Sequence, residues 1–138
     1  MSEPVWLSLD LVTAIHERLL REFGGAGGIR EAGLLKSALD RPRNRWAYEA
    51  AAVEELAASY AFCIAKNHPF VDGNKRTAFL SLVTFLGLNG IAFDVPEEEA
   101  AVVMFALAAG EMSEEGLARW IGDRLASAAS APAASSAL

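Results

Sequence analysis

A chain of 138 residues makes one domain, and 53% hydrophobic against 22% charged residues makes it globular rather than disordered. The net charge of -6 argues against a nucleic-acid partner held by bulk electrostatics, and the single cysteine, Cys63, excludes an internal disulfide or a multi-cysteine metal centre. No basic stretch leads into an apolar run near the start, and no apolar run reaches the ~20 residues that span a bilayer, so a cytoplasmic protein without membrane or direct nucleic-acid contacts is expected.

Taken in chain order, the pattern is helical throughout. Residues 9–23 carry apolar side chains at 11, 12, 15, 19, 20 and 23, a helical stripe, and the glycine cluster at 24–28 ends it. A short second helix is expected over 31–39, with Leu34, Leu35, Ala38 and Leu39 on one face and Arg41-Pro42 as its stop. A third, built on alanines with Leu56, Tyr60 and Ile64, is expected over 48–66, and Cys63 within it is a small core residue. The fourth, over 74–89, is apolar on nearly every side (Phe79, Leu80, Leu82, Val83, Phe85, Leu86, Leu88), which predicts a buried central helix. Asn89-Gly90 closes it, and Ile91-Ala92-Phe93 suits a short extended piece. Pro96 with Glu97, Glu98 and Glu99 opens a fifth helix, the three acids forming a solvated first turn. Ser113 caps a sixth that ends near Leu125, with Leu117, Trp120 and Ile121 inward. The expected fold is therefore all-α, a compact single-domain bundle of about six helices over 1–125. Residues 126–138 are expected to form a disordered Ala/Ser-rich tail.

The chemistry is concentrated in His68-Pro69-Phe70-Val71-Asp72-Gly73-Asn74-Lys75-Arg76-Thr77, directly before the fourth helix. The first turn of a helix offers unpaired N–H groups at the positive end of the macrodipole, which makes it an anion site. Gly73 lets the backbone approach an anion closely, and Lys75 and Arg76 add full charges. Cations at a helix start oppose the macrodipole, so a purely structural cap would favour acidic residues there. Asp72 suits a Mg²⁺ that bridges to phosphate oxygens, and His68 is placed to take a proton from an attacking hydroxyl. Outside this run, His16 has no partner constellation and reads as a surface or packing residue. Lys66 either adds positive potential near a phosphate or is a solvated helix end. The segment 24–31 is richer in glycine than a plain connection requires.

The run resembles the signature of the Fic/Doc family, His-x-Phe-x-(Asp/Glu/Asn)-(Gly/Ala)-Asn-(Gly/Lys)-Arg. His68, Phe70, Asp72, Gly73, Asn74, Lys75 and Arg76 fill it position by position. Lys75 stands where adenylylating members have a glycine, and Phe79 stands where they have a second arginine, so the chain resembles the Doc (death-on-curing) branch. The segment from Gly24 through Ile29, Arg30 and Glu31 to Leu39, then Arg41-Pro42, looks like the upstream part of Doc toxins. The resemblance covers roughly residues 5–125.

This resemblance implies a helical fold and a toxin that transfers the γ-phosphate of ATP, with Mg²⁺, to a hydroxyl of elongation factor Tu, arresting translation. It also implies a Phd-like antitoxin whose disordered segment folds as a helix in a groove near the site. By the same resemblance His68 is the catalytic base, Asp72 the metal ligand, and Gly73, Asn74, Lys75 and Arg76 hold the nucleotide phosphates. The glycine-rich loop then serves either as a substrate-facing flap or as a connector. Two other functions stay open: adenylyl transfer with ATP in the usual Fic pose, and a domain that binds nucleotide or a partner without turnover.

Overall fold

The computed structural model describes residues 2–130. Six helices follow one another: α1 Leu9–Phe23, α2 Ala32–Glu49, α3 Val53–Asn67, α4 Asn74–Leu88, α5 Glu97–Ala108 and α6 Glu114–Ala129. The described residues form no strand; residues 91–93 stay irregular, and one isolated antiparallel bridge joins Ile29 to Phe70. None of these helices is long and apolar enough to cross a membrane.

Local sequence explains most of the helix ends. The Ser8 hydroxyl accepts the Leu11 N–H at 3.1 Å, and Ser113 accepts that of Gly116 at 3.0 Å, each filling an orphan donor of a first turn. Gly24 closes α1 at φ +82°, a conformation glycine takes without strain. Pro96 precedes the acidic first turn of α5 as expected.

α3 and α4 share the centre. Ala57, Ala58, Ala61 and Ala65 of α3 are buried, and such small side chains let neighbouring helices approach closely. Between Thr77 and Leu86 no residue of α4 is exposed, so the all-round apolar pattern predicted its burial correctly. Leu82, Phe85 and Leu86 are sealed from solvent, each contributing about 1.5–3 kcal/mol of transfer free energy. Tyr60 is equally buried; its hydroxyl accepts the Leu7 N–H at 3.1 Å, and burial pushes its pKa up. Cys63 is a core residue as expected, its thiol pushed up to about 11 by burial.

Four expectations need correction. α2 does not stop at Arg41-Pro42: it runs to Glu49 with Pro42 buried inside it. A proline there forfeits a backbone bond at a cost of about 3 kcal/mol, so tertiary contacts must offset it. Among them are those of Arg41 and Arg45, one turn apart, both bound to the buried carboxylate of Glu114 at the start of α6. Second, α3 starts at Val53 rather than 48, because Ala50 turns the chain in the left-handed region (φ 50°) and Glu55 Oε1 accepts the Ala52 N–H at 2.9 Å. Third, α6 continues to Ala129; residues 131–138 of the expected tail lie outside the described residues. Fourth, Glu99 is not simply solvated: it accepts the Trp120 Nε1–H at 2.7 Å and lies 3.4 Å from Arg124 Nε, tying α5 to α6.

Candidate active site

The motif forms the turn between α3 and α4, so the two most buried helices hold both of its ends. His68 follows the last residue of α3 in the left-handed region (φ 52°, ψ 59°), its N–H still bonded to Ile64 O at 3.2 Å. A non-glycine residue there is strained by about 1–2 kcal/mol, and such strain gathers at functional positions. The His68 side chain is exposed.

Below it the loop is nailed down by Asn74. The Asn74 Oδ1 accepts the Phe70 N–H and its Nδ2 donates to Phe70 O, both at 3.0 Å. Asn74 is buried, and Phe70 fills the core as the knob of the loop. Both polar groups of the Asn74 side chain are thus engaged with Phe70. Of the residues expected to hold phosphate, Asn74 braces the loop with its side chain and offers its backbone N–H in the first turn of α4.

Gly73 precedes α4 at φ +77°, where a side chain would be strained, and no side chain caps the helix. Lys75 and Arg76 are exposed in the first turn, and neither is paired with a carboxylate among the described residues. The Arg76 guanidinium lies 4.2 Å from the centre of the Phe23 ring, a cation–π contact that steadies it at the end of α1. Phe79, one turn on, is half-buried against the core. It has no group to grip a phosphate. Lys66 is exposed, its Nζ 5.5 Å from the centre of the Phe62 ring.

Asp72 is exposed, and its Oδ1 accepts the N–H of Gly73 at 2.8 Å. Its Oδ2 faces the glycine-rich loop so closely that a Cβ on Gly25 would lie 2.7 Å from it. Among the described residues no cluster of three His, Cys, Asp or Glu could hold a metal alone. One carboxylate beside an uncapped helix start fits Mg²⁺, which keeps few protein ligands and takes the rest from phosphate and water.

Residues outside the motif complete the arrangement. The segment before α2 lies antiparallel to the loop: Arg30 and Glu31 N–H groups donate to Pro69 O at 2.7 and 3.0 Å, and Val71 N–H donates to Gly28 O at 3.0 Å. Arg30 adds a clamp, Nε to His68 O and Nη2 to Asn67 O, both 2.7 Å, covering the negative end of α3. From α1, His16 Nε2 lies 2.7 Å from Asp72 O, and its ring stacks on Phe70 with centroids 3.8 Å apart. The packing alternative for His16 therefore holds, at the site itself. Its place on the α1 stripe, one turn after Val12 and before Leu20, was the available signal. Arg30 had none, because its partners stand 37 and 38 residues away.

The profile of the Fic/DOC family matches residues 6–86 of the chain. The chain is 34% identical over 114 residues to the protein named "Protein kinase doc" of Escherichia phage P1, covering 81% of this chain and 89% of that one. It is 42% identical over 84 residues to "Toxin Doc" of Mycolicibacterium smegmatis, covering 56% of this chain and 64% of the relative. With the loop, the uncapped helix start and the flanking segment all within the matched region, the chain belongs to the Fic/DOC family, on its Doc branch.

Proposed function

We propose that this protein is the toxin of a type II toxin–antitoxin system, a protein kinase that moves the γ-phosphate of ATP to a hydroxyl of elongation factor Tu in the cytoplasm. One observation carries this reading. The loop presents His68, Asp72, Lys75 and Arg76 around an uncapped helix start, while the adenylylating pattern is lost at Lys75 and Phe79. The similarity to a relative named as a protein kinase supports it.

The chain's own groups then divide the work. Backbone N–H groups of the first turn of α4, from Asn74 to Arg76, meet the phosphates, and the positive helix end favours them. Arg76, steadied by Phe23, supplies a planar fork for a phosphate, and Lys75 adds a point charge. His68 takes the proton of the acceptor hydroxyl as its oxygen bonds to the γ-phosphorus. The β–γ bridging P–O bond breaks and ADP leaves. Asp72 would hold Mg²⁺, which would supply charge neutralisation at the phosphates. An α-phosphorus presented to His68 needs the outer phosphate held further along α4, where Phe79 offers no donor.

For a partner, a cavity of about 590 Å³ runs along α2 past Ser37, Arg41, Asn44 and Tyr48 to Asn67, next to the catalytic histidine. It supports capture of a Phd-like antitoxin segment as a helix in a groove.

Incubating the protein with elongation factor Tu and ATP labelled at either the α or the γ position tests the function. Transfer of the γ label alone, abolished in His68→Ala, is expected. Transfer of the α label would make the protein an adenylyltransferase, and a retained nucleotide with no transfer would make it a binding domain.

A further inference from the structure

We propose that His16, far from the motif in sequence, is a positioning residue that sets the orientation of the Asp72–Gly73 peptide and thereby the phosphate side of the site. This rests on the phosphate-site reading above. His16 is buried (3% exposed), touches Phe70 and Asp72, and lies beside Gly73. Its ring stacks on Phe70 at 3.8 Å, its Nε2 lies 2.7 Å from Asp72 O, and its Cδ2 would lie 3.6 Å from a Cβ on Gly73. A carbonyl oxygen only accepts, so Nε2 carries the proton and His16 is the donor.

The consequence follows from the planarity of the peptide. In a trans peptide the C=O and N–H point in opposite directions. With the Asp72 C=O drawn toward α1 by His16, the Gly73 N–H points away from α1, where it meets Asp72 Oδ1 at 2.8 Å. One hydrogen bond thus fixes two things: the direction of the Gly73 N–H and, through it, the turn of the Asp72 carboxylate beside the anion site. Gly73, at φ +77° and with no Cβ, leaves this peptide free to rotate once the anchor is gone. The rotated peptide would aim a carbonyl oxygen at the phosphates and release Asp72 Oδ1 from its donor. His16 is therefore worth more to the site than its packing alone.

Two substitutions separate donor from packing. His16→Phe keeps a ring against Phe70 and loses the donor; His16→Gln keeps an N–H near the Nε2 position and loses the ring. Calorimetric titration of the full chain with Mg·AMPPNP reads the site without catalysis, and urea unfolding reads the fold. His16→Phe should bind Mg·AMPPNP about tenfold more weakly than wild type, the scale of one lost hydrogen bond, while His16→Gln stays within about threefold. Equal affinity of His16→Phe and wild type overturns the proposal, and so does equal weakening in both variants. Wild-type protein that binds no Mg·AMPPNP overturns the phosphate-site reading itself, whereas wild-type binding with an indifferent His16→Phe overturns only this inference. Should His16→Phe fail to fold, ¹⁵N NMR of the wild-type histidines decides. An Nε2-protonated His16 whose resonance moves when Mg·AMPPNP is added is expected. An Nε2 without its proton, or a resonance that ignores the nucleotide, rules the anchor out.

Discussion

Replacing Glu114 should show how much the continuation of α2 past Pro42 depends on one carboxylate. Glu114 is buried at the start of α6. It receives Arg41 Nε at 2.9 Å, Arg41 Nη2, the Ser59 hydroxyl at 2.6 Å, and Arg45 Nη1 at 3.5 Å. Breaking a buried ion pair by removing one partner costs about 3–5 kcal/mol. Here Arg41 is 48% exposed and can rehydrate, and Arg45 keeps Glu49 and Glu55 as partners, so the expected loss for Glu114→Ala is about 2–3 kcal/mol. At this size about 1 kcal/mol corresponds to roughly 3–5 °C in Tm. Lys36→Ala, which removes an exposed pair with Asp40 one turn away, should cost no more than about 0.5 kcal/mol.

The pH dependence has a definite sign. Burial alone would raise the Glu114 pKa, but hydrogen bonds from Arg41 and Ser59 and the charges of Arg41 and Arg45 outweigh it, so the net shift is downward. A depressed carboxyl contributes stability that is complete above its unfolded pKa of about 4.3 and is lost as pH falls through the lower folded value. Urea midpoints between pH 7 and pH 3 should therefore fall less steeply at the acid end for Glu114→Gln than for wild type. Glu114→Ala within about 0.5 kcal/mol of wild type at pH 7 would refute the reasoning, and α2 would have to be held some other way.

His68→Gly relieves the left-handed backbone, so urea unfolding should find it as stable as wild type or up to about 1 kcal/mol more stable, with transfer down ~10²–10⁴-fold. A stability loss without an activity loss would make His68 merely structural. Gly25→Ala puts a methyl 2.7 Å from Asp72 Oδ2 and strains a φ of +120°. Its Mg²⁺ requirement for transfer should rise about tenfold, and an unchanged requirement would remove the glycine loop from the site. Asn74→Ala strands the buried Phe70 N–H and C=O, costing about 2–4 kcal/mol in urea unfolding and most of the transfer activity. Full activity in that variant would show that the loop holds its shape without the brace. Lys75→Gly with Phe79→Arg restores the adenylylating pattern; a folded double mutant should lose γ-label transfer and gain some α-label transfer. The gain is small because an arginine at a half-buried position is costly unless paired.

Most of what was legible in the chain was local. The cap at Ser113, the glycine end of α1, the acidic start of α5 and the all-round apolar face of α4 each act within about one helical turn. The candidate chemistry was legible for the same reason: His68, Asp72, Gly73, Lys75 and Arg76 stand within nine consecutive residues. Only the tertiary structure decided what braces them. Asn74 turned out to hold Phe70, an exchange of two hydrogen bonds that depends on the curl of the loop. His16 reaches Asp72 across 56 residues and Arg30 reaches His68 across 38, contacts that no local pattern encodes. Pro42 inside α2 is the clearest case. Local propensity ends the helix there, and contacts from far along the chain, among them a carboxylate 73 residues beyond Arg41, hold the helix together past it, because tertiary contacts do not depend on the backbone preference of the residue they span.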